Sequence, residues 1–398
     1  MKSIRQKGFT LTEIMVAVAI GLIATIVIFK SLQNTNLVAK NTTGGADAAT
    51  AGNIALYSIE RDARLAGYGI NDSSLIGCKV LMRSSSLTLP ADITANTLTA
   101  GTAVFAPALI LGTSTSPTLR LAYAGGRSIV PTKLTKAHAG TSSEIMRVIN
   151  LYGLKEASTV IMLGEANSAA PLVSPPQGKP CTIAQTSKTF TSNMDRDLMT
   201  VSTGLSPLSA PSGSGQTYLL EGRVFNIGSL SAIDSLLPAN TPVWKEFKVD
   251  PATETLQEKN IFTSSAFTTI APNVSAMYVD YILRDGSIRS GFPILNPVGN
   301  TVADLPVLRN VVGLRVSLLT RNALPDYSKG VECKSPTDTN AITLITPQNS
   351  QTLSTGFQDA DGGDIRFTLA RTNNANAFCY RYKTVSTTVM MRNMIWSS

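Results

Sequence analysis

The chain has 398 residues, 43% of them hydrophobic and 15% charged, enough to bury a sizeable core in one elaborated domain or in two. Three charges of the formal net +8 lie in the first seven residues, which leaves +5 for the remainder; that excess is too small to argue nucleic-acid binding by itself. One histidine and four cysteines with no Cys-x-x-Cys pair exclude the ordinary zinc-site spacings.

The first thirty residues are the most informative. Lys2, Arg5 and Lys7 precede Gly8, and Phe9 to Phe29 is an apolar run with one charged side chain, Glu13, before Lys30 closes it. About twenty residues rising roughly 1.5 Å each match a hydrocarbon core about 30 Å thick. The basic flank should stay cytoplasmic and send the rest of the chain across the membrane. A cleaved secretory signal fits poorly, because its apolar region is shorter and a small-x-small site should follow. Leu37-Val38-Ala39 is a weak substitute for one. Glu13 inside the run would cost on the order of 2–3 kcal/mol, which marks an intramembrane carboxylate as functional by default. Cleavage before Phe9 would leave a new α-amine one helical turn from Glu13, and pairing with that amine or a neighbour's would offset the cost.

Beyond Lys30 the helical pattern weakens without stopping. Asn41-Thr-Thr-Gly-Gly45 collects poor helix formers, so a hinge is expected near Gly44. Leu56, Ile59, Ala63 and Ala66 then recur at spacings of three and four, an apolar stripe for one helix face. The charges Glu60, Arg61, Asp62 and Arg64 fall to the other face, and Gly67-Tyr68-Gly69 ends the helix with residues suited to φ > 0. A membrane anchor needs only the first half of such a helix.

From Ile70 the period changes to short β-branched runs between Ser, Thr, Gly, Pro and Asn clusters. Expected strands include 108–111, 119–123, 143–148, 159–163 and 218–226. Residues 174–180 and 205–215 are loops by composition, the second long enough to mark a lobe boundary near 205–216. Residues 274–283 alternate, Asp285-Gly286 is a hairpin turn into 288–292, and 313–320 alternates again. The class expected is α+β, a long amino-terminal helix packed on a β-rich antiparallel head. Its parts are 1–8 as leader, 9–30 as membrane helix, 31–69 as amphipathic continuation and 70–398 as head.

No catalytic constellation appears, and an enzyme is not expected: His138 is alone in a polar string. Asp359, Asp361 and Asp364 share a glycine-bearing loop whose alternate oxygens suit Ca²⁺, but no acidic residue follows near the twelfth position, and an acidic turn between strands explains them as well. No other cofactor is indicated. Phe378-Cys-Tyr-Arg-Tyr-Lys383 interleaves aromatic and basic groups as single-strand nucleic-acid platforms do; a plain alternating strand is the favoured reading. In a translocated head Cys78, Cys181, Cys333 and Cys379 form two disulfides. Of three connectivities, the one expected joins Cys78 to Cys181 and Cys333 to Cys379, keeping each pair within one half of the chain.

Gly8-Phe9-Thr10-Leu11-Thr12-Glu13 after a short basic leader resembles the class III signal of type IV pilins and pseudopilins, with Thr12 where those proteins more often carry an apolar residue. The resemblance implies cleavage after Gly8 by a prepilin peptidase, N-methylation of Phe9, and registration of Glu13 against a neighbour's terminus. Ile59-Glu-Arg-Asp-Ala-Arg-Leu-Ala-Gly-Tyr-Gly69, with 310–319 and 387–393, resembles the PilW family of minor pilins and, more loosely, the J-type pseudopilin of type II secretion. What the likeness implies is an inner-membrane subunit with a periplasmic head that joins other minor pilins, the major pilin and a tip adhesin at the pilus tip. A head of about 330 residues would crowd a repeating filament, which favours a tip or priming position. A reading from another class is a single-pass anchored periplasmic protein that binds DNA or a surface ligand; it needs neither cleavage at Gly8 nor a role for Glu13.

Overall fold

The computed structural model describes residues 10–70, 72, 75–82, 84, 104–113, 116–125, 131–136, 138–139, 145–150, 159–163, 166–167, 180–186, 198–200, 217–218, 222–230, 241–264, 266–290, 305–323, 352–358, 364–368, 380 and 382–395. One helix, Leu11–Leu65, dominates it; 55 residues at 1.5 Å each give a rod about 80 Å long. Its first part carries the large apolar side chains of Leu11 through Leu32 fully in the open, from 51% to 77% exposed. Its last part is the stripe read from sequence: Ala55, Leu56, Ile59, Ala63 and Ala66 are all buried in the main core.

Two antiparallel sheets receive that stripe. The middle sheet runs in the spatial order Thr268–Pro272, Thr255–Asn260, Val243–Asp250, Ser116–Tyr123, Ala108–Thr113. The carboxy-terminal sheet runs Ile288–Ser290, Val274–Leu283, Val311–Arg321, Tyr382–Met390. Alternation decides their inner faces. Leu119, Leu121, Phe247 and Leu256 of the first sheet meet Met277, Val279, Tyr281, Leu314, Val316 and Leu318 of the second. Each fully buried Leu, Val or Phe contributes about 1.5–3 kcal/mol relative to exposure, so this three-layer contact carries the fold. Tyr281 adds a directed tie: its hydroxyl accepts the Ile110 backbone N–H at 2.7 Å, joining the two sheets inside the core.

The chain passes from one sheet to the other across a single residue. Thr268–Pro272 ends the middle sheet, Val274–Leu283 begins the next, and Asn273 between them has φ +59°. Asn tolerates that left-handed conformation better than other non-glycine residues. Arg321 N–H donates to the Asn273 carbonyl at 3.0 Å, which fixes the corner.

A third sheet holds Lys79–Leu81, Pro180–Gln185, Thr159–Leu163, Arg223–Ser229 and Thr132–Lys133 in spatial order. Its first pair is parallel and the rest are antiparallel. Its core is separate and includes Ile70, Leu75, Val80, Phe105, Ile183, Phe225 and Trp244. The Cys78–Cys181 disulfide expected from sequence lies within this core, with a Cα–Cα distance of 5.7 Å. It staples the parallel pair at the sheet edge. Cys333 and Cys379 lie outside the described residues, as do 174–179 and the 205–215 loop with the lobe boundary placed there; Pro180, expected in the first loop, instead opens the strand Pro180–Gln185.

Several sequence expectations need correction. The hinge near Gly44 is absent, since helix continues through residues 41–45. Gly44 serves close approach instead: a Cβ there would lie 3.2 Å from Asn322 Cβ. Gly52 is tighter, with a Cβ falling 2.6 Å from Val385 Cγ2 and 3.1 Å from Thr320 Cγ2. Gly44, buried Ala48 and Gly52 fall at i, i+4 and i+8, a row of small residues that lets the backbone settle on the carboxy-terminal sheet. Residues 305–312, apolar in sequence apart from Arg309-Asn310, divide into a short helix, Leu305–Asn310, and the start of strand Val311–Arg321, which begins two residues before the expected 313. The expected strand 218–226 is two pieces, Thr217–Tyr218 and Arg223–Ser229, in different sheets. Strands 159–163 and 274–283 match their expected bounds, and the Asp285-Gly286 turn forms with Gly286 at φ +83°.

Candidate functional site: the exposed helix and its seat on the head

The amino-terminal end of the helix is built around Thr10 and Glu13. Thr10 is the N-cap, with extended φ −80° and ψ 152°. Its backbone N–H and its hydroxyl both donate to Glu13 Oε2 at 2.9 Å, while Glu13 N–H donates to Thr10 Oγ1 at 3.4 Å. This reciprocal capping box satisfies helix-end donors that no intrahelical carbonyl reaches. Thr12, the departure from the usual pattern, adds a hydroxyl contact to Thr10 at 3.1 Å. Gly8 and Phe9 lie outside the described residues. Cleavage between them would leave the Thr10 N–H intact, because that peptide bond joins Phe9 to Thr10. The Glu13 carboxylate is thus held one residue from where a new amino terminus would lie. Around it the apolar side chains from Leu11 to Leu32 touch nothing in the head. The span Leu11–Gln33 is long and apolar enough to cross a membrane, and its geometry suits membrane anchoring.

The opposite end of the helix is fixed by a charge that sequence reasoning put on the wrong face. Asp62 is 1% exposed. It takes Lys245 Nζ at 2.9 Å from the middle sheet, Tyr123 Oη–H at 3.0 Å and Arg61 Nε at 3.2 Å. Burial, then the Asp62 charge, pushes the Tyr123 hydroxyl pKa well above its ordinary value. The same carboxylate raises the Arg61 guanidinium. Lys245 also reaches Glu258 Oε2 at 3.2 Å. A second buried group lies within the middle sheet, where register places Arg120, Glu246 and Lys259 side by side on three adjacent strands. Arg120 Nε donates to Glu246 Oε1 at 3.1 Å, Lys259 Nζ stands 3.4 Å from Oε2, and the Arg120 guanidinium lies 5.2 Å from the Trp244 ring centroid. Opposite charges alternating across strands neutralise one another within the sheet.

Past Leu65 the helix stops against the carboxyl terminus. Gly67 has φ +83°, donates to Ala122 O at 2.9 Å and would place a Cβ 2.9 Å from Met394 Sδ. Asn393 Nδ2 donates to Leu65 O at 3.2 Å. The segment 59–69 and the segment 387–393, both singled out from sequence, are therefore one contact region. Ile59, Ala63 and Ala66 fill the core, Asp62 binds the sheet, and Asn393 caps the helix. Arg61 and Arg64 pair locally, with Asp62 and Glu60.

The remaining candidates are dispersed. Asp359 and Asp361 lie outside the described residues, and Asp364 opens the strand Asp364–Thr368. Among the described residues no group of three metal-ligating side chains gathers. His138 is part of the two-residue strand His138–Ala139. Tyr382 packs on Leu319 and Tyr380 lies 3.7 Å from the Arg321 guanidinium, so these aromatics serve internal contacts of the carboxy-terminal sheet. Asp62, Lys245, Arg120 and Glu246 were missed. The strand Val243–Asp250 that carries Lys245 and Glu246 was not expected from sequence, because charges fall on both of its faces and conceal the alternation.

Residues 4–29 match the family model described as the prokaryotic N-terminal methylation motif. That motif marks a type IV pilin-like chain processed as a prepilin, and it implies a prepilin peptidase and pilus-type assembly. No curated protein and no solved structure matches the chain.

Proposed function

We propose that this chain is a minor pilin of the PilW kind, cleaved after Gly8, N-methylated on Phe9, and placed at or near the tip of a type IV pilus, where it helps prime assembly. The observation that carries this reading is the methylation motif lying on a helix whose apolar half is wholly unburied around one carboxylate, Glu13. Such a helix leaves the bilayer only by packing among similar helices, where an amine replaces the Thr10 donors that hold Glu13 in the lone subunit. The bulk of the head supports a terminal position over a repeating one. Other minor pilins, the major pilin and a tip adhesin are the partners this position implies, with the inner membrane as the site of departure and the periplasm as the head's first compartment. A J-type pseudopilin of type II secretion is the second reading; the same motif and helix serve it, and the PilW-like segments weigh against it.

Two variants test the proposal. Gly8→Ala should leave the leader attached and abolish incorporation into pili. Glu13→Ala should be cleaved and inserted in the membrane yet assemble poorly. Normal assembly of both would sink the pilin reading, and normal pili with loss of protein secretion would turn it to the pseudopilin.

A further inference from the structure

Arginines gather where the carboxy-terminal sheet meets the segment Arg392–Ile395. Arg284 N–H donates to Asn310 O at 2.8 Å, and its Nη2 donates to Met394 O at 3.3 Å. These two bonds bring Arg309, next to Asn310, and Arg392, two residues before Met394, to the same patch as Arg284. All three are exposed. Among the described residues neither Arg309 nor Arg392 is in an ion pair. One carboxylate beside Arg284 is exposed and one near Leu65 is paired, which leaves the arginines in excess. Asp285 accepts from Ser287 N and Oγ and faces Arg289, and Glu60 pairs with Arg64. Leu65 joins the patch through its carbonyl contact with Asn393 and is 42% exposed.

We infer that this patch is a docking surface for an acidic, leucine-bearing segment of a partner protein. Arginine forks recognise carboxylates in bidentate fashion, and arginine beside an exposed apolar residue is the composition of protein interfaces. A nucleic-acid duplex is the poorer fit, because it requires a longer track of phosphate contacts than three neighbouring arginines supply. The inference goes beyond the pilin reading and stands whether or not the leader is cleaved.

The test uses the full chain in detergent and a fluorescent peptide of repeated Glu-Glu-Leu. Binding should saturate at micromolar concentration, weaken as salt rises, and fall at least about tenfold when Arg309→Glu and Arg392→Glu are combined. Those side chains are exposed, so the melting temperature should hold. Lys133→Glu with Lys136→Glu, on the third sheet and its following turn, should leave binding unchanged. Failure of the peptide to bind overturns the inference, as does equal loss in the lysine variant. Tighter binding of a DNA duplex that depends on the same arginines would overturn the partner class.

Discussion

Asp62 carries the largest residue-scale consequence. A carboxylate at 1% exposure, held by donors from its own helix and from two strands, fixes where the helix end lies against the middle sheet. Tyr123 reports on that contact through pH. Its pKa is raised in the folded chain by burial and by Asp62, so the folded state holds the phenolic proton more tightly than the unfolded state does. The stabilisation is complete below the unfolded value, about 10, and is lost as pH rises above it. Melting temperature should fall steeply above pH ~10, and Tyr123→Phe should flatten part of that fall at a small loss near neutrality. An unchanged alkaline profile in the variant would contradict the placement of Tyr123. The sequence offered little warning, because Asp62 stands in a run of four charges and only the register of the helix against a distant strand turns it inward.

At the scale of elements, the helix–sheet contact depends on missing side chains. Gly52 lies where a Cβ would come 2.6 Å from Val385. Alanine improves helix propensity by about 1 kcal/mol, but overpacking against a β-branched neighbour costs about 1–3 kcal/mol, and the second effect should win. Gly52→Ala should lower the melting temperature, and pairing it with Val385→Ala should recover part of the loss. Gly21→Ala, with nothing within 4 Å, should leave the head's melting unchanged. Equal melting of Gly52→Ala and wild type would show that the helix does not sit as described. Local propensity misled here for a physical reason. Glycine raises backbone freedom in isolation, yet on a buried face it sets the distance of approach, and only the partner strand, more than 300 residues away in sequence, reveals which applies. The stripe Leu56, Ile59, Ala63, Ala66 was legible because periodicity needs no partner. The middle sheet was less so: Thr255–Asn260 is largely polar, Thr268–Pro272 buries only Ala271, and burial of Glu246 and Lys259 follows from cross-strand pairing that no single strand announces.

For the whole molecule, two features decide how the chain works. One is the disulfide Cys78–Cys181, which closes a separation of 103 residues. Its removal by Cys78→Ser with Cys181→Ser should destabilise the head by about 2–5 kcal/mol, read as earlier denaturant unfolding of the core that holds the disulfide and the buried Trp244 of the middle sheet. An unchanged midpoint would mean that this core stands without the staple. The other is the division of the helix into a bare apolar half and a seated half. The amino terminus was legible from sequence because its chemistry is local: a basic leader, a glycine, an apolar run and one carboxylate within a few turns. The head was legible only as a class, since its packing joins segments far apart in the chain.

The central claim is processing at the amino terminus, and the most direct measurement is the intact mass and first residue of the protein recovered from cells. The account predicts a chain beginning at N-methylated Phe9. A chain beginning at Met1, or cut near Lys40, would contradict it and leave a plain anchor or a secreted head in its place.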